Sequence, residues 1–263
     1  MSTNWSTWSI AATHDEPAAS AAFSSANAFA ARLTFGGTKT SFGSLARVSG
    51  SASPYDKTKH VHHLHKVLDL DPGSPFNPTL QLDEAGIQTN ATSDGFGIDF
   101  ISSRADAHIG SSNFVLPDYP FPPGIIELLG MAFSATDINS SADFSHVFGS
   151  SQSFVTGGAS FGSLSIGGSL IGRTLKFSGD AAPNTVLYSS ATVTVTLDKQ
   201  IVTDLISIGP TPAVTPFSIT TEAVDISLHN ASFRGTRVSG DIIIGQASAG
   251  TSQLYVPGHP APS

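Results

Sequence analysis

Residues 191–197 read Ala-Thr-Val-Thr-Val-Thr-Leu, and this stretch decides the fold class. Its apolar residues alternate with threonines, which is the period-two pattern of a strand with one face in a core and the other in water. The same alternation returns at 224–228, and a short apolar run follows at 242–244. The predicted buried positions of these C-terminal strands are Val193, Val195, Leu197, Val224, Ile226, Leu228, Ile242 and Ile244.

Composition favours the same architecture over the whole chain of 263 residues. Apolar residues make up 40%, enough for a core, whereas charged residues make up only 12%. Long helices need Glu, Lys and Arg on their wet faces, while strands are covered by Thr and Ser. Strand-like segments recur every ten to twenty residues or so between Gly, Pro, Asn and Ser, which indicates an all-β sandwich or barrel. One short helix is predicted near 124–131, because Ile125, Ile126, Leu128 and Leu129 form a helical stripe.

Two N-terminal segments are also predicted to be strands. In 21–35 the bulky residues Phe29 and Leu33 share odd positions with Phe23 and Phe35, although the alanine content also allows a helix. In 97–109 the apolar residues change from even to odd positions near Ser102 and Ser103, as a β-bulge would require.

The domain organisation follows from these segments. We expect a flexible N-terminal segment at 1–20, one β-domain at 21–256 and a C-terminal tail at 257–263. Ser41–Leu45 reads Ser-Phe-Gly-Ser-Leu and recurs at Ser160–Leu164. This repeat leaves open a domain of two similar halves, 21–150 and 151–256.

Charge and cysteine content exclude several functions. With 20 acidic against 12 basic residues the net charge is -8, and no Lys/Arg cluster compensates. Nucleic acid and anionic membrane surfaces are therefore not expected as partners. The absence of cysteine rules out disulfides, thiolate metal sites and a cysteine nucleophile. No apolar stretch approaches a membrane-spanning length, and residues 1–10 lack the features of a secretion signal.

Four of the nine histidines lie in His60-Val61-His62-His63-Leu64-His65. On a regular strand His60 and His62 would face one side and His63 and His65 the other, so that either pair could hold a metal with His108, His146 or an aspartate as the third ligand. The alternative is a solvated stretch between flanking lysines, which disfavour a cation. We expect the solvated stretch, and therefore no metal and no cofactor.

The aromatic residues suggest either a core or a pocket. There are 17 Phe against 4 Tyr and 2 Trp, so these aromatic residues are predicted to lie mainly in the core. They could also line an apolar cavity beneath residues 119–123. The candidate substrate-binding residues are Tyr119, Phe121, His62 and His108. No nucleophile elbow, phosphate-binding loop or dinucleotide fingerprint is present, and no catalytic residue is assigned.

Four blocks in the second half resemble a known family. Residues 182–187 read APNTVL, 195–200 read VTLDKQ, 218–226 read SITTEAVDI and 240–249 read GDIIIGQASA. In this order they resemble the bacterial surface family called choice-of-anchor P, mainly over residues 162–249. The resemblance implies an extracellular or cell-surface location, whereas residue 1 as the native start would imply the cytoplasm. The family has no assigned function and brings no catalytic residues.

Two functional hypotheses follow. The first is a non-catalytic bacterial surface or extracellular-matrix β-module. It would self-assemble as a homo-oligomer, or bind a neutral polymer or a hydrophobic small molecule. The second is a small-molecule-binding β-barrel enzyme of the isomerase, cyclase or lyase type, with a Phe-lined pocket and histidine acid–base groups.

Overall fold

A computed structural model describes residues 24–36, 42–50, 55–69, 79–94, 100–117, 129–147, 153–207, 213–233 and 236–251. These residues form thirteen β-strands and no helix. The strands are β1 (Ser24–Gly36), β2 (Phe42–Leu45), β3 (Val48–Gly50), β4 (Tyr55–Asp69), β5 (Thr79–Asp94), β6 (Phe100–Pro117), β7 (Leu129–Val147), β8 (Ser153–Gly167), β9 (Leu175–Asp180), β10 (Thr185–Ser189), β11 (Val193–Ser207), β12 (Ala213–Phe233) and β13 (Thr236–Thr251).

The strands form two antiparallel sheets that pack face to face. Sheet 1 has the order β10-β11-β12-β13-β1-β2, with β3 also paired to β1, and sheet 2 has the order β4-β5-β6-β7-β8-β9. Neither sheet closes on itself, so the all-β prediction is confirmed as a sandwich and the barrel alternative is wrong. Many strands are longer than the usual three to ten or so residues, and β12 has 21.

The chain ends of the described region meet in one sheet. β1 pairs with β13 along most of its length, while β4 to β9 supply all of sheet 2. The suggested division between residues 150 and 151 would separate β7 from β8, which are hydrogen-bonded neighbours. Of the predicted helix, 124–128 lies outside the described residues, but 129–131 belongs to β7 and is strand. The predicted segments 1–20 and 257–263 also lie outside the described residues.

The predicted core of the C-terminal strands is confirmed. All eight predicted positions are at most 1% exposed, because each lies on the face of sheet 1 that packs against sheet 2. The N-terminal strand is also confirmed, with Phe29 and Leu33 buried.

Each long strand of sheet 2 changes its alternation once, and the changes lie side by side. In β5, Glu84 and Ile87 are both buried, with Ala85 and Gly86 between them on the outer face. The other buried pairs at this spacing are Ile109 and Ser112 in β6, Ala135 and Ile138 in β7, and Phe161 and Leu164 in β8. We call this row of changes, together with its counterpart in sheet 1, the kink line.

Sheet 1 shows the complementary pattern, with two consecutive inward residues on each strand. These pairs are Ala30 and Ala31 in β1, Leu197 and Asp198 in β11, Ala223 and Val224 in β12, and Ile244 and Gly245 in β13. Gly245 has a φ of 63°, and a Cβ there would lie 3.5 Å from Ile138 Cγ2 of sheet 2. The inward pairs of sheet 1 therefore fit against the spaced inward residues of sheet 2, and the two sheets bend together.

The register change predicted near Ser102 and Ser103 is wrong. Ile101, Ser103 and Ala105 are all buried, and the alternation of β6 changes instead at Gly110 and Ser111. Ser103 can occupy a core position because its Oγ donates to Gly250 O at 3.2 Å and accepts from Gly250 N at 3.0 Å. Because this buried hydroxyl both donates and accepts a hydrogen bond, its burial costs little free energy. A serine can therefore occupy a core position, although its polarity predicts an exposed one.

The core consists of two clusters, one built from large side chains and the other mostly from small ones. The larger cluster contains Leu, Ile and Phe side chains, including Phe114 and Phe133 with ring centroids 5.0 Å apart. The smaller cluster consists mostly of alanines from both sheets. Small side chains let the sheets approach closely, and Gln200 Nε2 of sheet 1 accordingly donates directly to Gly157 O of sheet 2 at 2.9 Å.

Replacing Val195 by Asp should destabilise the fold by several kcal/mol, because Val195 is 0% exposed and a carboxylate there would have no partner. Chemical denaturation monitored by circular dichroism measures the change. The matched control is Val186→Asp on β10, where the side chain is 58% exposed and the same substitution should cost little. Equal stability of the two variants would contradict the assigned register.

Glu84 is a carboxylate inside the sandwich, on the kink line. Its side chain is 1% exposed and accepts one hydrogen bond from Ser112 Oγ at 3.2 Å, while Oε2 has no partner among the described residues. Burial raises the pKa of Glu84 to about 7, against the weaker opposing effect of the Ser112 hydrogen bond.

Glu84 should therefore make the fold less stable at alkaline pH. Below the ordinary value of 4.5 the carboxyl is protonated in both states; between 4.5 and about 7 only the unfolded chain ionises, so stability falls as the pH rises. The full loss corresponds to about 3 kcal/mol. We expect Glu84→Gln to raise the melting temperature at pH 8.5 and to change it little at pH 4. The exposed Asp56→Asn is the control, and a gain that is the same at both pH values would exclude this explanation.

Candidate functional site

An open groove of about 390 Å³ lies on the outer face of sheet 2. Four neighbouring strands build it: Thr92 belongs to β5, Arg104 of β6 lies opposite Asp143 of β7, and Asp143 lies opposite Thr156 of β8. The residues that line this sheet 2 groove are Thr92, Ser102, Ser103, Arg104, Asp143, Phe144, Ser145, Phe154 and Thr156.

Arg104 is held in place by two carboxylates. Its Nε lies 2.8 Å from Asp106 Oδ2 and its Nη2 lies 2.9 Å from Asp106 Oδ1, so the guanidinium engages both oxygens of one carboxylate. Nη1 lies 3.7 Å from Asp143 Oδ1. Arg104 and Asp106 are neighbours on one face of β6 because they are two residues apart on a strand. The cation is thus oriented before any ligand arrives.

The charges of this group are nearly balanced. The hydrogen bond to Asp106 and the charges of both carboxylates raise the pKa of Arg104. Burial raises the pKa of Asp143, and Asp106 adds to this effect, while Arg104 opposes it. One cation beside two carboxylates leaves no excess of positive charge in the groove for an anionic ligand.

An exposed aromatic ring stands at the groove. Phe154 is 59% exposed, and strand pairing aligns Ser102, Ser145 and Phe154 in one row. The remaining lining is rich in hydroxyl groups. An apolar ring face beside hydroxyls and a fixed Arg–Asp pair can stack on the apolar face of a sugar and exchange hydrogen bonds with its hydroxyl groups.

The sequence-predicted residues His62 and His108 lie on the same outer face of sheet 2, outside the groove. His108 is on β6, four residues from Arg104, and its Nδ1 lies 2.8 Å from Asn139 Oδ1. β5 separates it from β4, which carries His62, so the two strands lie about 10 Å apart. Tyr119 and Phe121 lie outside the described residues.

The expected division of the histidines between two faces is wrong. Val61 and Leu64 both pack against the core, so His62 and His63 are consecutive outward residues at the kink line. His60, His62, His63 and His65 consequently share the outer face of β4. His65 Nδ1 lies 2.7 Å and His63 Nε2 lies 3.5 Å from Asp83 Oδ1.

These histidines do not make a metal site in the described residues. Among them, no group of three or more His, Cys, Asp or Glu side chains has an arrangement that could hold a metal ion. Asp83 and Glu84 are adjacent in sequence but lie on opposite faces of β5, since Asp83 faces outward and Glu84 lies in the core.

A second polar cluster lies on the outer face of sheet 1. Lys199 Nζ lies 2.6 Å from Asp225 Oδ2 and 3.4 Å from Glu222 Oε2, and Arg32 Nη2 lies 3.6 Å from Glu222 Oε1. Glu222 and Asp225 would face opposite sides of a regular strand, being three residues apart. The consecutive inward residues Ala223 and Val224 bring both carboxylates to one face.

This cluster is unusually buried for an outer face. Glu222 and Asp225 are 2% and 4% exposed. Burial raises the pKa of Glu222, with a further contribution from Asp225, against the opposing charges of Lys199 and Arg32. Burial also lowers the pKa of Lys199, but the hydrogen bond to Asp225 and the two carboxylate charges outweigh it, so the net shift is upward. Lys199 therefore remains charged and holds the two carboxylates together.

Two acceptors of the cluster, Asp225 Oδ1 and Gln246 Oε1, lack hydrogen-bond partners among the described residues. Glu222 Oε2 has the ion pair with Lys199 at 3.4 Å. An unpaired buried acceptor costs about 1–3 kcal/mol. The cluster is thus a place where stability depends on the one ammonium group of Lys199.

Comparison with known proteins identifies no relative. The chain matches no protein-family model, no curated protein and no solved structure. The described residues include no helix of the length and hydropathy needed to cross a membrane. Fold and site define a class only: a bent, antiparallel two-sheet sandwich with an open polar groove on one outer face.

The functional residues that the sequence did not single out are Arg104, Asp143 and Phe154. The alternation of Arg104 and Asp106 with Ala105 and Ala107 is visible in sequence and shows that the charged pair shares a face. Asp143 and Phe154 come from β7 and β8, and only the register of those strands brings them to the groove.

Replacing Lys199 by Met should destabilise the protein, because it leaves Asp225 buried without a cation and Glu222 with Arg32 alone, at 3.6 Å. The loss should be about 1–3 kcal/mol, below the 3–5 of a fully buried pair, since the Lys199 side chain is 36% exposed. Urea denaturation at pH 7.5 measures it. Lys176→Met on the exposed edge strand β9 is the matched control. A Lys199 variant as stable as this control would show that the ion pairs contribute nothing.

Proposed function

We propose that this chain is a non-catalytic binding module of a bacterial surface or extracellular matrix, and that its ligand is a neutral polyhydroxyl polymer bound along the sheet 2 groove. The observation that carries the proposal is Phe154, a 59% exposed ring beside hydroxyl groups and a pre-oriented Arg104–Asp106 pair. Carbohydrate-binding surfaces combine these two elements, an apolar platform and fixed polar groups.

The shape of the groove supports a polymer over a small molecule. It is an open trough across four strands, β5 to β8, and a chain could continue along the outer face in both directions. Ser102 and Ser145 lie in one row on neighbouring strands, so hydrogen-bonding groups of adjacent strands are about 4.8 Å apart along the groove. Repeated weak contacts of this kind add along a polymer but hold a single sugar poorly.

Charge supports a neutral ligand. The net charge of -8 repels polyanions, and Arg104 is already neutralised by its carboxylate neighbours. The second hypothesis, a Phe-lined enzyme pocket, has less support. Among the described phenylalanines, Phe29, Phe114, Phe133, Phe144 and Phe161 are all buried in packed positions, with exposures of at most 3%.

The proposal predicts that Phe154→Ala weakens polymer binding about two- to tenfold, since an aromatic stacking contact is worth roughly 0.5–1.5 kcal/mol. Affinity electrophoresis with dextran, xylan, a β-glucan and the polyanion alginate measures retardation of the intact protein. The matched control is Val186→Ala, which removes an equally exposed apolar side chain, 58% against 59%, from the other sheet.

Retardation by at least one neutral polymer, reduced in Phe154→Ala and kept in Val186→Ala, is the expected result. Polymer length should be unchanged after prolonged incubation, because no turnover is proposed. Binding to none of the neutral polymers, or preferential binding to alginate, would overturn the proposal.

A further inference from the structure

One side of the sandwich has two open strand edges, one in each sheet. β11 pairs with β12 along its length, but β10 covers only residues 194–197 of its other edge. Asn184 Oδ1 then accepts a hydrogen bond from Gln200 N at 3.0 Å, and beyond this residue no described strand pairs with β11. In sheet 2, β9 pairs with β8 only from Ser160 onward, which leaves residues 153–158 without a described strand partner on that edge.

The two open edges lie next to each other. Gln200 of β11 donates its side-chain amide to Gly157 O of β8 at 2.9 Å. Ile201 and Val202, which follow Gln200, are 45% and 44% exposed. Of the five large apolar residues that are exposed in the described part of the chain, four lie on β8, β10 and β11, namely Phe154, Val186, Ile201 and Val202.

The opposite side of sheet 2 is protected in a way that this side is not. The edge strand β4 is also long, but it carries three lysines and four histidines over residues 55–69. Charged side chains, lysine above all, are the usual means of preventing edge-to-edge pairing. Residues 200–207 of β11 read Gln-Ile-Val-Thr-Asp-Leu-Ile-Ser and carry one charge, Asp204. The low charge and apolar residues of this segment are typical of a strand that pairs with another strand.

We propose that residues 200–207 of β11 are a strand-addition site for the same segment of a second copy of this chain. A two-fold axis roughly perpendicular to the sheets would place β11 against β11 and, in the layer below, β8 against β8. Both open edges would then be paired at once, which a single extended peptide from another protein would not achieve. The inference does not depend on polymer binding.

The sequence of the segment suits antiparallel pairing with itself. With Thr203 opposite Thr203, Ile201 lies opposite Leu205 and Asp204 lies opposite Val202, so that the two acidic residues do not face each other. This register keeps each residue on the same face in both copies, because the paired positions differ by an even number of residues.

Sedimentation velocity between about 1 and 200 µM tests the interface in the full chain. The wild type should form a reversible dimer, and Ile201→Lys should weaken its association at least tenfold. Val67→Lys on β4 is the matched control, since Val67 is also 45% exposed, and it should associate like the wild type. A wild type that is monomeric at every concentration, or equal effects of the two lysines, would overturn the proposal.

The register has its own test, because the chain has no cysteine. Directly opposite residues of antiparallel strands have Cα atoms about 4.5–5.5 Å apart, which suits a disulfide. Thr203→Cys should therefore cross-link into covalent dimers under mild oxidation, while the exposed Thr58→Cys on β4 should not. Cross-linking of Thr58→Cys and not of Thr203→Cys would place the contact at the β4 edge and reject the proposal.

Discussion

The kink line is the constraint on which the rest of the structure depends. Strands of up to 21 residues cannot stay flat over that length, because each carries a right-handed twist. Here the long strands change their alternation at adjacent positions along the kink line, and β12 changes it a second time between Leu228 and Ala231, which are both buried. Left-handed residues on alternate strands accommodate the change at the kink line: Gly86 and Asp137 in sheet 2, Asp198 and Gly245 in sheet 1. Glycine and aspartate adopt this conformation at the least cost. Both sheets can then bend in the same direction and stay packed.

The same constraint decides which side chains meet. Two consecutive outward residues gather all four clustered histidines on one face of β4, and two consecutive inward residues bring Glu222 and Asp225 together on β12. It also places Glu84 in the core, where desolvation raises its pKa to about 7. The kink line is therefore where this protein concentrates its buried charge. Such groups are costly to bury, and their pairing rather than their number determines whether the cost is offset.

The remaining polar and aromatic side chains lie on the outer faces and edges of the two sheets. The outer face of sheet 2 combines hydroxyl groups, a fixed Arg104–Asp106 pair and the exposed ring of Phe154. The β4 edge of that sheet carries lysines and histidines, which oppose edge-to-edge pairing. On the other side, no described strand pairs with the outer edge of β8 at residues 153–158 or with that of β11 beyond Gln200.

The sequence by itself determined the strand class and much of the core. Alternation identified Val193, Val195 and Ile226 as buried, because a period of two is a local property of one strand and needs no knowledge of its partners. Low charge and abundant Ser and Thr also excluded a helical protein. Only the tertiary structure decided between sandwich and barrel, which depends on whether the last strand pairs with the first strand of its own sheet. The groove was likewise beyond sequence, since Arg104, Asp143 and Phe154 are far apart in the chain and meet through the pairing of β6, β7 and β8. The faces of the histidines were misassigned for the same reason: a change of alternation at Gly86 or Asp137 is set by the packing of two bent sheets, and a single strand read alone shows no cause for it.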